Sequence, residues 1–295
     1  MTAALPARHA ALALAVVAVW GINFVVIKTA LASLPPLLFA ALRFALAFLP
    51  AALFVARPAV AWRTLATYGT LIGAGQFGLL FVAMRADITP GLASLVIQTQ
   101  VFFTIGLAMV FARERLRPIQ ALALALAASG LVVIAANTGS HTTLTGLALV
   151  LTAALAWAAG NLVTQRAGRV PILGFMVWSS LFAVPPLVML SMLFEGPDAI
   201  VRGITHAGLG TWTAVLWQSV GNTLFGYGAW AWLLARHPAT AVSPIALLVP
   251  VFGMASSALW LGEPLPAWKL VAAALVVGGL LLNLLAPRWL RAAAA

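Results

Sequence analysis

The sequence predicts an all-α membrane protein in which ten transmembrane helices form two inverted five-helix repeats. Three observations lead to this prediction: few charged residues, ten apolar segments of transmembrane length, and similarity between the two halves. Of the 295 residues, 64% are hydrophobic and 7% are charged, whereas soluble globular chains carry about 25% charged residues. Because 7% cannot form a charged shell in water, the apolar surface is expected to contact lipid.

The net charge of +11 is interpreted as membrane topology, because the basic residues lie in the gaps between apolar segments. They do not form a basic cluster interleaved with aromatic side chains, which argues against nucleic-acid binding. The chain contains no cysteine, so disulfide bonds, thiolate metal sites and cysteine nucleophiles are excluded. The composition therefore favours a function within the membrane.

A helix needs about 20 mostly apolar residues to cross a bilayer. Ten segments meet this requirement: 9–31, 36–56, 64–84, 89–111, 118–137, 143–165, 171–194, 210–235, 239–260 and 266–286. Continuous apolar runs such as 121–136 argue against the alternating pattern of a β-barrel. The first apolar stretch starts at Ala10 and passes Trp20, which exceeds the core of about 7–15 residues in a signal peptide. We therefore predict that it is a membrane helix.

The positions of lysine and arginine predict that both termini lie in the cytoplasm. With the N-terminus inside, eleven basic residues fall on the cytoplasmic side: Arg8, Arg57, Arg63, Arg113, Arg115, Arg117, Arg166, Arg169, Arg236, Arg288 and Arg291. Three fall on the far side: Arg85, Arg202 and Lys269. An excess of basic residues in cytoplasmic loops is the usual bias. Four of the five acidic residues fall on the far side: Asp87, Glu195, Asp198 and Glu263.

The two halves of the chain resemble each other, which predicts repeats at residues 1–138 and 139–295. Two pairs of segments carry the similarity: 20–28 (WGINFVVIK) with 157–166 (WAAGNLVTQR), and 62–102 with 212–252. Five helices per repeat is an odd number, so the second repeat enters the membrane from the opposite side. Inverted repeats of this kind recur in transporters, with the substrate site between the halves. The alternative is that duplication only stabilises a helix bundle.

Two five-helix repeats, each with a tryptophan in its first helix and a Glu-x-Leu near the start of its last, resemble the EamA repeats of the drug/metabolite transporter superfamily. The tryptophans are Trp20 and Trp157, and the Glu-x-Leu motifs start at Glu114 and Glu263. Within that superfamily, the chain is most similar to bacterial amino-acid exporters of the YddG type. The resemblance implies two repeats around a central cavity and a location in a bacterial inner membrane. It does not imply a strict preference for aromatic substrates, because Gln98 and Gln100 stand where some exporters carry aromatic residues.

Two pairs of polar and aromatic residues in equivalent helices are the first candidates for substrate binding. Trp20 and Asn23 share one helix face, as do Trp157 and Asn161. An indole beside an amide offers an apolar wall and a hydrogen-bonding group, which suits a zwitterionic or small polar ligand. The alternative is that the amides form hydrogen bonds between helices.

Amides in the third, fourth and eighth predicted spans extend this candidate site. Gln98 and Gln100 are about 200° apart around a helix, so only one faces a given cavity, and we favour Gln100. Gln76 and Asn222 occupy equivalent positions in the third and eighth spans. Both stand among glycines, which permit close packing or a local break in the helix.

Tyr227 and Trp230 share one face of the eighth predicted span. Two interpretations stay open for this pair: a gate beside the substrate site, or an aromatic belt at the membrane surface.

Charged residues within the predicted spans have two possible roles. Lys28 lies near a helix end, where its amino group can reach the membrane surface. Arg43 lies deeper and needs an acceptor, either a carbonyl group or a substrate carboxylate. Glu114 and Glu263 lie at helix starts, where the helix dipole favours a carboxylate, and we interpret them as structural. No Asp or Glu lies in the middle of a span, which argues against a carboxylate that carries protons or organic cations.

The leading hypothesis is an exporter of amino acids or similar small metabolites that works by alternating access and needs no cofactor or metal. One alternative is a carrier of organic phosphates or sugar phosphates, which would use Lys28 and Arg43. Another is a membrane scaffold that transports nothing. The sequence contains no H-E-x-x-H, G-x-S-x-G or Walker motif, so we do not expect an enzyme. The expected partners are a small-molecule substrate and membrane lipid.

Overall fold

The computed structural model describes residues 5–112, 118–139 and 142–292. These residues form eleven helical elements and one isolated β-bridge between Gly139 and Thr142. Seven are regular: α1 (Ala7–Ala30), α2 (Pro36–Phe48), α5 (Pro118–Ala136), α6 (Leu144–Ala167), α7 (Ile172–Phe194), α8 (Pro197–His206) and α11 (Ala267–Ala292). A short 3-10 turn, Ala51–Leu53, extends α2.

Four helices change their winding partway along. A π-helical segment interrupts α3 (Trp62–Thr70, Leu71–Gly78, Leu79–Ala86) and α9 (Leu209–Leu216, Trp217–Phe225, Gly226–Arg236). A 3-10 segment interrupts α4 (Pro90–Val96, Ile97–Thr99, Gln100–Ala112) and α10 (Ala239–Val242, Ser243–Leu248, Val249–Leu261). Proline occupies the first turn of α2, α4 and α8, where its missing N–H leaves no hydrogen bond unmade.

Nine helices in the described part of the chain are long and apolar enough to cross a membrane. The remaining predicted span, 210–235, is helical over 209–236. Its amide and hydroxyl side chains make it less apolar than the other nine. The amphipathic helix α8 was not predicted, because its ten residues lie within a gap between spans. One face of α8 rests on the α1–α2 connection, where Gly203 packs against Pro35.

The two halves contact each other in reciprocal pairs. In the first half, α1 packs against α9 and α10; in the second, α6 packs against α3 and α4. Likewise α2 packs against α9, and α7 packs against α3. Three pairs join equivalent helices of the two halves, namely α2 with α7, α4 with α10, and α5 with α11.

The bundle has two ends that differ in charge. The end that carries Asp87, Glu195 and Glu263 is called the acidic end, and the opposite end is called the N-terminal end. At the acidic end, the carboxylate of Glu195 accepts the backbone N–H of Leu37 at 2.6 Å and so caps the start of α2. The Asp87 backbone oxygen accepts the N–H of Thr143 at 2.9 Å. These contacts tie loops of the two halves together.

Close packing of α5 on α11 depends on a glycine, which leads to a test of the fold. A methyl group at Gly279 would lie 2.6 Å from the backbone oxygen of Ala123, whereas one at Gly278 would have no described atom within 4 Å. We expect Gly279→Ala to destabilise the protein by about 1–3 kcal/mol, because the two helices must move apart. Gly278→Ala is the matched control: it gains the same helix propensity and is expected to lose no stability. Thermal unfolding in detergent measures both, and equal melting temperatures for the two variants would contradict this packing.

Candidate functional site

Trp20 is the centre of a group of side chains where α1 meets α9. Its ring centroid lies 5.5 Å from that of Tyr227 and 5.2 Å from that of Trp230, within the usual range for favourable aromatic pairs. Its indole N–H donates to the backbone oxygen of Asn222 at 3.3 Å. Trp20, Asn222, Tyr227 and Trp230 are called the aromatic cluster. The structure therefore brings four predicted site residues together from the two halves of the chain.

The π-helical segments of α3 and α9 place amides inside the bundle. Gln76 and Asn222 lie in these two segments and are 3% and 4% exposed. A π-helical turn is wider than an α-helical turn and is often found at functional sites. The Oε1 atom of Gln76 and both amide atoms of Gln218 are buried without a hydrogen-bond partner among the described residues. A buried polar atom without a hydrogen-bond partner costs free energy. These atoms are therefore expected to bind a ligand or water.

A second polar group links α4 to α6. The side-chain N–H of Asn161 donates to Oε1 of Gln100 at 2.8 Å, and the hydroxyl of Thr104 donates to the Gln100 backbone oxygen at 2.8 Å. Gln100, Thr104 and Asn161 are called the amide cluster, and all three are half-buried. Gln98 is buried in the 3-10 segment of α4. Of the two glutamines, Gln100 is thus the one that bonds across to the other half.

The other two residues of the predicted tryptophan–asparagine pairs lie on α1 and α6. Asn23 is buried one turn after Trp20, and its Oδ1 atom has no hydrogen-bond partner in the part of the chain that the structure describes. Trp157 is half-buried one turn before Asn161 and packs on the hydrophobic core. Each pair thus occupies the inner side of its helix.

Arg43 lies in the middle of α2 with only 1% of its surface exposed. Its Nη2 donates to the hydroxyl of Thr223 at 2.8 Å, and its guanidinium carbon lies 3.8 Å from the ring centroid of Phe77. A small cavity adjoins it, called the Arg43 cavity, whose lining includes Tyr68, Ser180 and Tyr227. Because Tyr227 also contacts Trp20, the cavity adjoins the aromatic cluster.

The cavity volume is about 10 Å³, at the lower limit for one water molecule. Sites for small organic ligands typically measure about 300–1,000 Å³. The conformation described by the structure is therefore too tightly closed around Arg43 to admit a substrate.

Lys28 and Glu263 lie at the acidic end, away from the aromatic cluster. The amino group of Lys28 donates to the backbone oxygens of Met84 and Arg85 at 2.8 and 2.9 Å, so it caps the end of α3. The carboxylate of Glu263 accepts the N–H of Gly91 at 3.0 Å. It therefore caps the start of α4, whereas the sequence suggested the start of its own helix. Glu114 lies outside the described residues.

Several residues that lie beside the site were not predicted from the sequence. Thr223 binds Arg43, and the hydroxyl of Ser219 donates to the Arg43 backbone oxygen at 3.0 Å. A signal for them was present: Gln218, Ser219, Asn222 and Thr223 form a polar stripe at helical spacing. Polar stripes inside a membrane span generally face protein or water rather than lipid.

Comparison with known proteins identifies relatives that cover the whole bundle. A model of the EamA-like transporter family matches residues 8–136 and 144–285. A probable amino-acid metabolite efflux pump of Salmonella typhimurium is 42% identical over 278 residues, which cover 92% of this chain and 93% of that protein. The protein of the same name in Escherichia coli is 38% identical over 291 residues, which cover 97% of each chain.

A more distant relative and a solved structure agree with this result. A probable terminal-alkyne amino-acid exporter of Streptantibioticus cattleyicolor is 26% identical over 214 residues, which cover 71% of this chain and 69% of that protein. A crystal structure of a protein with 19% sequence identity aligns over 97% of this chain and 99% of its own, with a TM-score of 0.65. That similarity establishes the shared fold.

Proposed function

Because the chain belongs to the EamA-like transporter family, we propose that it exports amino acids or similar small metabolites by alternating access. It is a multi-pass membrane protein, with nine helices of transmembrane length and hydropathy among the described residues. Two relatives with 42% and 38% sequence identity to this chain are named probable amino-acid metabolite efflux pumps. The proposal assigns the same class of substrate to this chain.

The aromatic cluster is the observation that carries the proposal. It joins mid-helix residues of α1 and α9, which belong to different halves, around the backbone oxygen of Asn222. Indole and phenol rings can contact the apolar part of an amino acid, and carbonyl and amide groups can bind its ammonium group. The neighbouring amide cluster supplies further hydrogen-bonding groups.

Alternating access requires two halves that can rearrange around a fixed site. We assign the halves to residues 1–138 and 139–295 and count 209–236 as the tenth membrane span. The reciprocal helix contacts support an inverted repeat. The changes of winding support it as well. The third helix of each repeat, α3 or α9, contains a π-helical segment, and the fourth, α4 or α10, contains a 3-10 segment. Interrupted helices near the midplane are a recurring feature of such transporters.

The tight closure around Arg43 supports a cycle with large helix movements. A cavity of about 10 Å³ has to expand more than tenfold to hold a ligand of the usual size. Widening between the halves at one end would open the aromatic cluster to one side of the membrane. In this proposal the N-terminal end faces the cytoplasm of a bacterial inner membrane and the acidic end faces outward, in agreement with the positions of the basic residues.

The geometry favours an amino-acid substrate over a phosphorylated one. A phosphate dianion is best matched by two or more cationic groups. The candidates for this role in the sequence are Lys28 and Arg43. Lys28 is bound to two backbone oxygens at the acidic end. Arg43 is therefore the only one of the two that adjoins the cavity, which suits a single carboxylate better than a phosphate.

Efflux from liposomes that contain only this protein tests the proposal. Vesicles loaded with single labelled amino acids are expected to lose some of them selectively, and a pH gradient across the vesicle shows whether protons drive the movement. The double variant Trp20→Ala, Trp157→Ala is expected to lose this efflux while remaining folded. If folded wild-type protein moves no amino acid or related metabolite, the proposal is wrong and the scaffold hypothesis gains support.

A further inference from the structure

The guanidinium group of Arg43 is a buried cation with unused hydrogen-bond donors. Nη2 donates to Thr223, but Nε and Nη1 have no partner among the described residues, although they are buried. Charge in a low-dielectric interior is costly unless an opposite charge lies close to it. Inside a membrane, such a residue generally marks a substrate or ion pathway.

No acidic residue in the described part of the chain compensates this charge. Glu195 caps α2 at the acidic end, and Asp87 accepts the hydroxyl of Thr143 at 3.0 Å. Glu263 pairs with Lys269 at 2.8 Å. Asp198 is exposed in the first turn of α8. The anion that matches Arg43 is therefore expected to come from outside this part of the chain.

The surroundings of Arg43 restrict the direction from which an anion can approach. The rings of Phe77 and Phe44 lie 3.8 and 4.8 Å from the guanidinium carbon, and stacked aromatic rings stabilise a guanidinium group. Stacking leaves the edge of the guanidinium, with its N–H groups, as the surface for binding. The hydroxyl-bearing residues Tyr68, Ser180 and Tyr227 line the adjoining cavity.

We propose that Arg43 binds the carboxylate of the exported substrate and thereby selects amino acids over their uncharged or decarboxylated analogues. This inference rests on the proposed function. Guanidinium groups bind carboxylates through two parallel N–H groups on one edge. Nη2 uses one N–H for Thr223, and its second N–H can pair with the free N–H of Nε or of Nη1 to bind one carboxylate. Tyr227 lies between Arg43 and Trp20, so a bound amino acid would direct its carboxylate to Arg43 and its remaining part to the aromatic cluster.

Lys28 provides a matched control for the charge of Arg43. It is the other cation within the predicted spans 9–31 and 36–56, and its amino group is already bound to the backbone oxygens of Met84 and Arg85. Lys28→Gln therefore removes one positive charge from the membrane region without changing a residue of the Arg43 cavity lining. The conservative variant Arg43→Lys keeps the charge and loses the paired donor geometry.

The test compares three labelled compounds in liposomes: a transported amino acid, its primary amide and its decarboxylated amine. Wild-type protein is expected to prefer the amino acid. Arg43→Gln is expected to lower the efflux of the amino acid about 10- to 100-fold, the usual loss for a hydrogen bond to a charged group. Efflux of the amide is expected to change much less, Arg43→Lys to retain part of the preference, and Lys28→Gln to behave as wild type.

Two results would overturn the proposal. The first is wild-type efflux of the amide as fast as that of the amino acid. The second is an equal loss of all three compounds in Arg43→Gln, since that pattern indicates a structural role.

Ligand binding separates this proposal from the proposed function. Thermal stabilisation of the purified protein by the amino acid, lost in Arg43→Gln, would support carboxylate binding even if no efflux occurred. In that case the transport proposal alone would be wrong. Absence of stabilisation by any amino acid, together with absence of efflux, would contradict both proposals.

Discussion

Gly226→Ala is expected to lower substrate efflux at least about tenfold, which corresponds to about 1.4 kcal/mol. A methyl group at Gly226 would overlap the indole nitrogen of Trp20 and lie 3.2 Å from its Cε2 atom. The indole must then turn away, and its hydrogen bond to the Asn222 backbone oxygen is lost. The ring would also lose its contacts with Tyr227 and Trp230, so the proposed binding surface would be disrupted.

Gly228 offers a matched control for this substitution. It lies two residues further along α9, and a methyl group there would contact, among the described residues, only Leu173 at 3.9 Å. Both alanine substitutions raise helix propensity by the same amount, so their difference isolates the contact with Trp20. Efflux assays on folded protein should separate the two variants. Equal activity of Gly226→Ala and wild type would remove Trp20 from the site.

Glu263→Ala is expected to lower the free energy of unfolding by about 3–5 kcal/mol, the usual loss when a buried ion pair loses one partner. The Glu263 carboxylate binds the amino group of Lys269 at 2.8 Å, the N–H of Gly91 at 3.0 Å and the hydroxyl of Ser257. It thus joins α4, α10 and α11 at the acidic end. Removal of the carboxylate leaves the charge of Lys269, which is 5% exposed, without its partner.

The stabilisation by Glu263 also predicts a dependence on pH. Burial raises the pKa of this carboxyl, but the hydrogen bonds from Lys269, Ser257 and Gly91 outweigh burial and hold the pKa below its ordinary value of 4.5. Because the pKa is lower in the folded protein, the stabilisation is fully present above pH 4.5 and is lost as the pH falls through the folded pKa.

Thermal unfolding in detergent at neutral and acid pH measures the loss of stability in Glu263→Ala and the pH dependence of the stabilisation by Glu263. Glu263→Gln is expected to remove this part of the pH dependence. The double variant Glu263→Gln, Lys269→Met is expected to recover stability, since no unpaired charge remains. Asp198→Asn, at an exposed carboxylate, is the control and is expected to unfold as wild type. A melting temperature of Glu263→Ala equal to that of Asp198→Asn would contradict the assigned role.

The membrane helices could be predicted from sequence because their length and apolar character are local properties. Nine of the ten predicted spans have the expected length and hydropathy in the described part of the chain. The change of winding in α3 and α9 could not be located, since a π-helical turn depends on packing against other helices. The glycines around Gln76 and Asn222 indicated only that some interruption was possible. The amphipathic helix α8 was too short to stand out within its gap.

The candidate site was predictable in composition but not in its contacts. Repeat symmetry singled out Trp20 and Asn161, and the polar character of mid-span amides singled out Gln100 and Asn222. The sequence could not pair Trp20 with Tyr227 or Arg43 with Thr223, because these contacts join residues about 200 positions apart. Nor could it show that Lys28 is bound to carbonyl groups while Arg43 retains free donors.

Cysteine accessibility tests the central claim, that the Arg43 cavity opens to one side of the membrane at a time. The chain has no native cysteine, so Ser180→Cys places one thiol in the cavity lining, and Ser129→Cys on the exposed surface of α5 is the control. A membrane-impermeant thiol reagent added to the medium is expected to label position 180 in both kinds of vesicle. In inverted vesicles it reacts from the cytoplasmic face of the membrane, and in right-side-out vesicles it reacts from the outer face. A transported amino acid is expected to slow both reactions. Labelling from one side only, under all conditions, would contradict alternating access through this cavity.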